Sequence, residues 1–110
     1  MSSATVTLET LPDGTLVVHP HGVLDAGDAV TLQRTLVDAV RRRRPLRLVI
    51  DLDDLRDLDP INLGTLAAAC HLGDDHHVAV FLDHSTPAIA ARLSAAGVPA
   101  HRLRHVEPAV

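Results

Sequence analysis

Two short and almost entirely apolar segments constrain the fold of this chain most strongly. They are residues 46–52, LRLVIDL, and residues 78–82, VAVFL, and both are rich in residues that favour β-structure. A strand without a regular polar face is buried on both sides, which is the usual condition of a central strand in a parallel sheet. The two segments therefore predict neighbouring inner strands of a sheet that is covered by helices.

Two further strands are predicted near the start of the chain. Residues 5–10 and 15–19 are short and rich in β-forming residues, and LPDG lies between them. Pro12 presets one backbone angle of this turn, and Gly14 is free to adopt a positive φ, so the segment is typical of a hairpin.

Helical patterns separate the strands. A first helix is predicted from the cap Asp25 to Pro45, because apolar residues recur at helical spacing between them. This stripe contains Ala29, Leu32, Leu36 and Val40. A second helix is predicted from the cap Asp59 to Gly73, with an apolar face formed by Leu63, Leu66, Ala67 and Cys70.

The end of the chain completes the pattern. Ser85 or Thr86 caps a third predicted helix, which Gly97 ends. Residues 53–59 are interpreted as a polar connection and residues 102–106 as a last strand. The prediction is one α/β domain spanning residues 1–110, with a mixed sheet of four to five strands packed by three or more helices.

Composition excludes several functional classes. The 110 residues carry a formal net charge of −4, and Phe81 is the only aromatic residue, so neither phosphate attraction nor base stacking favours a nucleic-acid partner. The apolar runs are too short to span a bilayer, and the N-terminal MSSATVTLET has no signal-peptide pattern. The single cysteine, Cys70, fits a reducing compartment. We expect a soluble cytoplasmic protein without membrane insertion.

No motif predicts catalysis, a metal or a cofactor. Cys70 lies on a predicted apolar stripe, where a thiol is buried and inert. The histidines, including His19, His21 and those at 71–77, lack a zinc-ligand spacing and are interpreted as exposed. The acids of residues 53–59 are interpreted as a solvated turn rather than a magnesium site, and Arg41–Arg44 as a solvated helix end rather than a docking site.

Two motifs, taken with the order of elements, resemble the STAS domain, the fold of bacterial anti-sigma factor antagonists and of the cytosolic tails of sulfate transporters. The first motif, GVLDAGDAVTL at residues 22–32, is similar to the family's turn into its first helix. The second, LVIDLDDLRDLDPINLGTL at residues 48–66, is similar to a strand followed by Asp-Ser-Ser-Gly-Leu-Gly at the second helix. The resemblance covers nearly the whole chain.

One departure from the family pattern concerns its switch. In members that act by partner switching, a serine kinase that is also the anti-sigma factor phosphorylates the second Ser of that motif. The matching residue here is Ile61, flanked by Pro60 and Asn62, and none of the three has a hydroxyl group. Phosphorylation would add about −1.5 to −2 charges at this helix start. The nearest hydroxyl belongs to Thr65, one turn further on, which is a weak candidate for phosphorylation.

The resemblance implies a regulatory domain without catalytic activity that binds an anti-sigma factor or another kinase-fold protein. The predicted partner-binding residues are Asp25, Asp59, Ile61, Asn62, Leu63 and Thr65. Both aspartates either contact the partner or only cap their helices. The alternative is a STAS scaffold subunit of a transport or sensory complex; an enzyme or metal protein that uses the His and Asp clusters is the third hypothesis. An exposed sheet edge would also allow a homodimer.

Overall fold

The two apolar segments form adjacent inner strands in a computed structural model of the chain, which describes residues 4–107. In this part of the chain the sheet has six strands: β1 Ala4–Thr10, β2 Leu16–Leu24, β3 Arg47–Asp51, β4 Leu55–Leu58, β5 Ala79–Asp83 and β6 Leu103–Arg104. The order across the sheet is β1-β2-β3-β5-β6, and β4 also pairs with β2. The β1–β2 hairpin is antiparallel and all other pairs are parallel. The predicted mixed sheet is thus confirmed, with more strands than expected.

Three helices follow the predicted pattern: α1 Ala29–Asp38, α2 Pro60–Asp75 and α3 Pro87–Ala95. A 3-10 turn at Ala26–Asp28 leads into α1, and a wider π-type turn at Ala39–Arg43 extends it. Pro60 and Pro87 occupy the first helical position, where the missing N–H of proline costs no hydrogen bond. Thr86, one of the two predicted caps, caps α3 by accepting a hydrogen bond from the Ile89 N–H at 3.2 Å. Within residues 4–107, no helix is long and apolar enough to cross a membrane.

The core lies between the helices and one face of the sheet. Alternate strand residues enter it, and those of the two inner strands are fully buried: Leu48, Ile50, Val80 and Leu82. The intervening Val49 is also buried, which confirms that β3 is covered on both faces. On the opposite face the Arg104 guanidinium lies 4.1 Å from the centre of the Phe81 ring, so a stacked arginine covers the only aromatic side chain.

The interpretation of residues 53–59 as a polar connection is wrong, because strand β4 lies within it. Leu55 and Leu58 are buried, whereas Arg56 and Asp57 between them are exposed. This three-residue spacing does not match the alternation of a regular strand. It arises because the pairing of β4 with β2 shifts register after Gly22, an irregularity that lets both leucines reach the core.

The prediction that Gly73 ends the second helix is also wrong, since α2 continues to Asp75. Gly73 is buried where the helix crosses β5. A Cβ atom at this position would lie 2.5 Å from Val80 Cγ2 and 2.6 Å from the Val78 carbonyl oxygen. The glycine therefore permits a close approach of backbone to sheet rather than terminating the helix.

The end of α3 agrees with the sequence, whereas β2 runs to Leu24, five residues beyond the predicted end at residue 19. Gly97 follows α3 with φ of +107°, a conformation that glycine adopts without strain. The last strand exists, but β6 comprises only Leu103 and Arg104 of the predicted residues 102–106. It is anchored from the neighbouring strand, because the Arg104 guanidinium donates two hydrogen bonds of 2.8 Å to the buried Asp83 carboxylate.

The two glycines of α2 provide a matched test of this packing. Gly73→Ala is expected to lower the free energy of unfolding by about 1–3 kcal/mol, because the added methyl group overlaps backbone and Val80. Gly64→Ala is expected to raise it by up to about 1 kcal/mol, because its Cβ would meet nothing within 4 Å and alanine favours the helix. Urea unfolding of both variants measures the difference; equal effects of the two substitutions would contradict the close approach at Gly73.

Candidate functional site

Two helix starts meet at one end of the sheet. Strand β2 leads into the 3-10 turn before α1, and β4 leads into α2. The ends of these two strands are joined, since the Asp59 N–H donates a 2.7 Å hydrogen bond to the Leu24 carbonyl oxygen. The segments that carry the two sequence motifs are thereby brought side by side, although Leu24 and Asp59 are more than 30 residues apart in the chain.

The Asn62 side chain reinforces this junction. Its Nδ2 donates one hydrogen bond to the Leu24 carbonyl oxygen at 3.1 Å and another to the Asp25 carbonyl oxygen at 2.9 Å. The side chain is fully buried, with 0% of the residue exposed. Each of these carbonyl groups also accepts a backbone N–H, so Asn62 adds a second hydrogen bond to each. The two added bonds hold the first turn of α2 against the start of the 3-10 turn that precedes α1.

Both aspartates of the motifs act as caps. Asp25 Oδ1 accepts a hydrogen bond from the Asp28 N–H at 3.1 Å, and Asp28 Oδ2 accepts one from the Asp25 N–H at 2.9 Å. Asp59 Oδ1 accepts a hydrogen bond from the Ile61 N–H at 3.1 Å. The predicted capping is confirmed at both positions. The carboxylates satisfy N–H groups that would otherwise lack partners and fix the direction in which each helix begins.

Ile61 is the exposed apolar residue of this edge. It lies in the first turn of α2 and 54% of its surface is accessible. Thr65 follows one turn later, where its hydroxyl donates a 3.2 Å hydrogen bond to the Ile61 carbonyl oxygen. The sequence prediction that these two residues share a helix face is therefore in agreement with the geometry.

Two of the predicted contact residues do not belong to the surface. Asn62 is fully buried and Leu63 is 8% exposed, within the hydrophobic core. Their side chains support the edge from beneath, and a partner cannot reach them without unfolding the helix start. The exposed part of the predicted site comprises Asp25, Ile61 and the partly exposed Asp59 and Thr65.

An open groove extends from this edge between α1 and α2. Its volume is about 920 Å³. Val30 and Ile61 flank it at the start of the two helices, and Arg41, His71 and Asp75 lie towards the other end. Nothing in the sequence motifs indicated this groove; the signal available was the pair of apolar residues, Val30 and Ile61, outside the core stripes of their helices.

The other candidate clusters do not form a reactive site. Asp51 lies between two histidines, with Oδ1 at 3.1 Å from His84 Nδ1 and Oδ2 at 3.7 Å from His19 Nδ1. Within residues 4–107, however, no group of three or more His, Cys, Asp or Glu residues has a geometry suited to a metal ion. Burial raises the pKa of the Cys70 thiol to about 11, which keeps it protonated and unreactive at neutral pH.

The one acidic residue of β4, Asp57, has structural partners as well. Asp57 accepts hydrogen bonds from the Leu58 N–H and from Arg92 of α3, and these lower the pKa of its carboxyl group. The Arg92 guanidinium also donates to the Leu58 carbonyl oxygen at 2.8 Å. This exposed ion pair links β4 to α3.

Comparisons with known proteins identify the family. The profile of the STAS domain matches residues 7–109, so the chain belongs to the STAS domain family. A crystal structure of an anti-sigma factor antagonist from Mycobacterium paratuberculosis is 28% identical, with a TM-score of 0.75, covering 94% of this chain and 86% of that chain. No curated protein sequence gives a significant match.

Two more distant structures share the fold. The anti-sigma factor antagonist SpoIIAA of Bacillus, in its unphosphorylated form, is 13% identical with a TM-score of 0.73, covering 96% of this chain and 90% of that chain. A sulfate transporter family protein from Wolinella succinogenes is 15% identical with a TM-score of 0.72, covering 89% of this chain and 82% of that chain. The STAS fold predicted from the sequence is thus confirmed.

The Asn62 hydrogen bonds yield a stability prediction. Asn62→Ala should lower the free energy of unfolding by about 1–3 kcal/mol, because two side-chain hydrogen bonds that join the helix starts are lost. Asn62→Asp should cost more at pH 8 than at pH 4, because an ionised carboxylate cannot donate to a carbonyl oxygen and a protonated one can. Urea unfolding at both pH values measures this, and amide exchange at residues 24–28 should accelerate. A neutral effect of both variants would contradict the role of Asn62.

Proposed function

We propose that this chain is a regulatory protein–protein interaction domain without catalytic activity, which binds an anti-sigma factor or a related kinase-fold protein in the cytoplasm. The contact edge is formed by Asp25, Asp59, Ile61 and Thr65. The observation that carries the proposal is the exposure of Ile61 at the start of a helix whose position is fixed from beneath. The 28% identity to an anti-sigma factor antagonist supports the same class of partner.

The rigidity of the edge favours binding. Asn62, the caps at Asp25 and Asp59, and the backbone hydrogen bond to Leu24 hold Ile61 in place before a partner arrives. A preorganised surface loses little conformational entropy on association, so more of the contact energy contributes to affinity. An exposed aliphatic side chain that fits a partner pocket is then a suitable anchor for the interface.

The proposal includes constitutive rather than switched binding. Residues 59–62 have no hydroxyl group that a kinase could phosphorylate. The Thr65 hydroxyl donates a hydrogen bond to the Ile61 carbonyl oxygen, and this bond makes Thr65 a poor acceptor of a phosphoryl group. A partner would therefore remain bound in the presence of ATP, unless the host regulates the complex by another route. The proposal requires no cofactor and no metal.

A second function is favoured by the likeness in fold to the sulfate transporter family protein. The chain would then be a scaffold subunit of a transport or sensory complex. A neighbouring gene for an anti-sigma factor would favour the first proposal, and a neighbouring gene for a transport ATPase would favour the second.

Substitution of Ile61 tests the proposed edge. Ile61→Glu should weaken binding of a purified kinase-fold anti-sigma factor from the same host by about 30-fold or more, because a buried apolar anchor typically contributes about 2 kcal/mol or more. Isothermal titration calorimetry of the two purified proteins provides the measurement.

The matched control is Leu46→Glu. Leu46 is 83% exposed and precedes β3, at the opposite end of the sheet from the two helix starts. This variant should bind like the wild type, and both variants should unfold at the wild-type urea concentration because both sites are exposed. If Ile61→Glu bound with unchanged affinity, the proposed edge would be misplaced.

The absence of the phosphoacceptor can be tested by restoring it. Incubation of the wild-type complex with ATP and Mg²⁺ should leave the chain without phosphate at residues 59–62 and the complex intact. Ile61→Ser places a hydroxyl at the family position, and its phosphorylation should release the partner by adding charge to the interface. Peptide mass spectrometry and size-exclusion chromatography report the two events; ATP-dependent release of the wild-type chain would show that another residue is the switch.

A further inference from the structure

The groove between α1 and α2 has the dimensions of a helix-binding site. Its lining runs from Ala29 to Arg41 on one side and from Ile61 to Asp75 on the other. Both helices begin at the same end of the sheet, because α1 follows β2, α2 follows β4, and these two strands are parallel. The lining from Ala29 to Arg41 corresponds to about 18 Å of helix, or roughly three turns. The groove therefore offers a continuous surface rather than a local depression.

The floor of this groove is small and apolar. Gly64 and Ala68 lie in its middle on α2, and both are exposed. A Cβ atom at Gly64 would meet nothing within 4 Å, so the space above it is open. Val30 and Ile61, with 55% and 54% of their surfaces accessible, border this space from the two helices. Contiguous exposed apolar surface of this kind is typical of an interaction site.

The two rims of the groove differ in charge. On the α1 rim, Arg41 lines the groove, and Arg34 lies beside it on the adjoining outer face of α1. Neither arginine has an ion pair within the described residues, while Asp38 is engaged by Arg42 and Arg43 at 3.6 and 3.9 Å. The α2 rim instead carries an acidic residue, Asp75. This unpaired positive rim stands out in a chain whose formal net charge is −4.

We propose that the groove binds an amphipathic helix of the partner, with apolar residues facing Gly64 and Ala68 and carboxylates along the flank that lies over Arg34 and Arg41. This inference rests on the proposed function and adds the element by which the partner docks. A helix satisfies its own backbone hydrogen bonds, so it needs only apolar side chains and matching charges from such a groove. The small residues of the floor let the two helix backbones approach closely.

Filling the groove is the first arm of the test. Gly64→Leu places a side chain in the open space, where its Cβ would meet nothing within 4 Å, and it replaces glycine by a better helix former. Its urea midpoint should therefore equal or exceed that of the wild type, whereas its affinity for the purified kinase-fold anti-sigma factor of the host should fall at least tenfold. Loss of binding in this variant is then not a result of unfolding.

Charge is the second arm. The double variant Arg34→Glu and Arg41→Glu should also bind at least tenfold more weakly, and the dependence of its affinity on salt should be smaller than that of the wild type. Arg56→Glu is the matched control, since Arg56 is exposed on β4 and does not line the groove. It should bind like the wild type.

Each outcome decides the inference. If Ile61→Glu abolishes binding while Gly64→Leu and the double arginine variant retain it, the groove is not used and the proposed function stands. If the wild type binds no kinase-fold anti-sigma factor, the proposed function fails, and the inference fails with it. If light scattering shows that the wild-type chain is a dimer and Gly64→Leu a monomer, the occupant is a second copy of the chain and the inference is overturned.

Discussion

The proposed contact edge depends on a pair of hydrogen bonds from Asn62 Nδ2 to the carbonyl oxygens of Leu24 and Asp25. The bond to Leu24 is buried and the bond to Asp25 is part-buried, and they join residues 38 and 37 positions apart in the chain. Removal of the donor would break both side-chain links between the two helix starts, although the Leu24 and Asp25 carbonyl groups would each keep a backbone N–H partner. Because the bonds connect two helix starts, they fix the positions of both at once.

At the start of α2, this chain departs from the STAS sequence motif at two positions. The STAS motif places a small, flexible glycine where this chain has Asn62 and a serine where it has Ile61. The chain thus has a buried hydrogen-bonding side chain at the first position and an exposed apolar one at the second. In the proposed function, both replacements favour one static surface over a surface altered by phosphorylation.

The groove follows from the same construction. Two parallel crossovers place α1 and α2 side by side, and the small residues of α2 leave space between them that the core does not fill. Gly64 and Gly73 show how one residue type serves opposite purposes within one helix. Gly73 is required because β5 lies against it, whereas Gly64 faces open space.

Much of this protein was determined by its sequence alone: the inner strands, the three helices with caps at Asp25, Asp59 and Thr86, the buried Cys70 and the STAS fold. The strands, helices and caps depend on local periodicity and on capping chemistry, which are visible in short segments, whereas the STAS fold was inferred from the resemblance of two motifs to that family. The tertiary structure alone decided that β4 pairs with β2 through a register shift, that Gly73 lies against β5, that Asn62 turns inward, and that a groove stays open between α1 and α2. Each of these depends on contacts between segments distant in the chain, and no local pattern records the space or the hydrogen-bond partners that a distant segment provides.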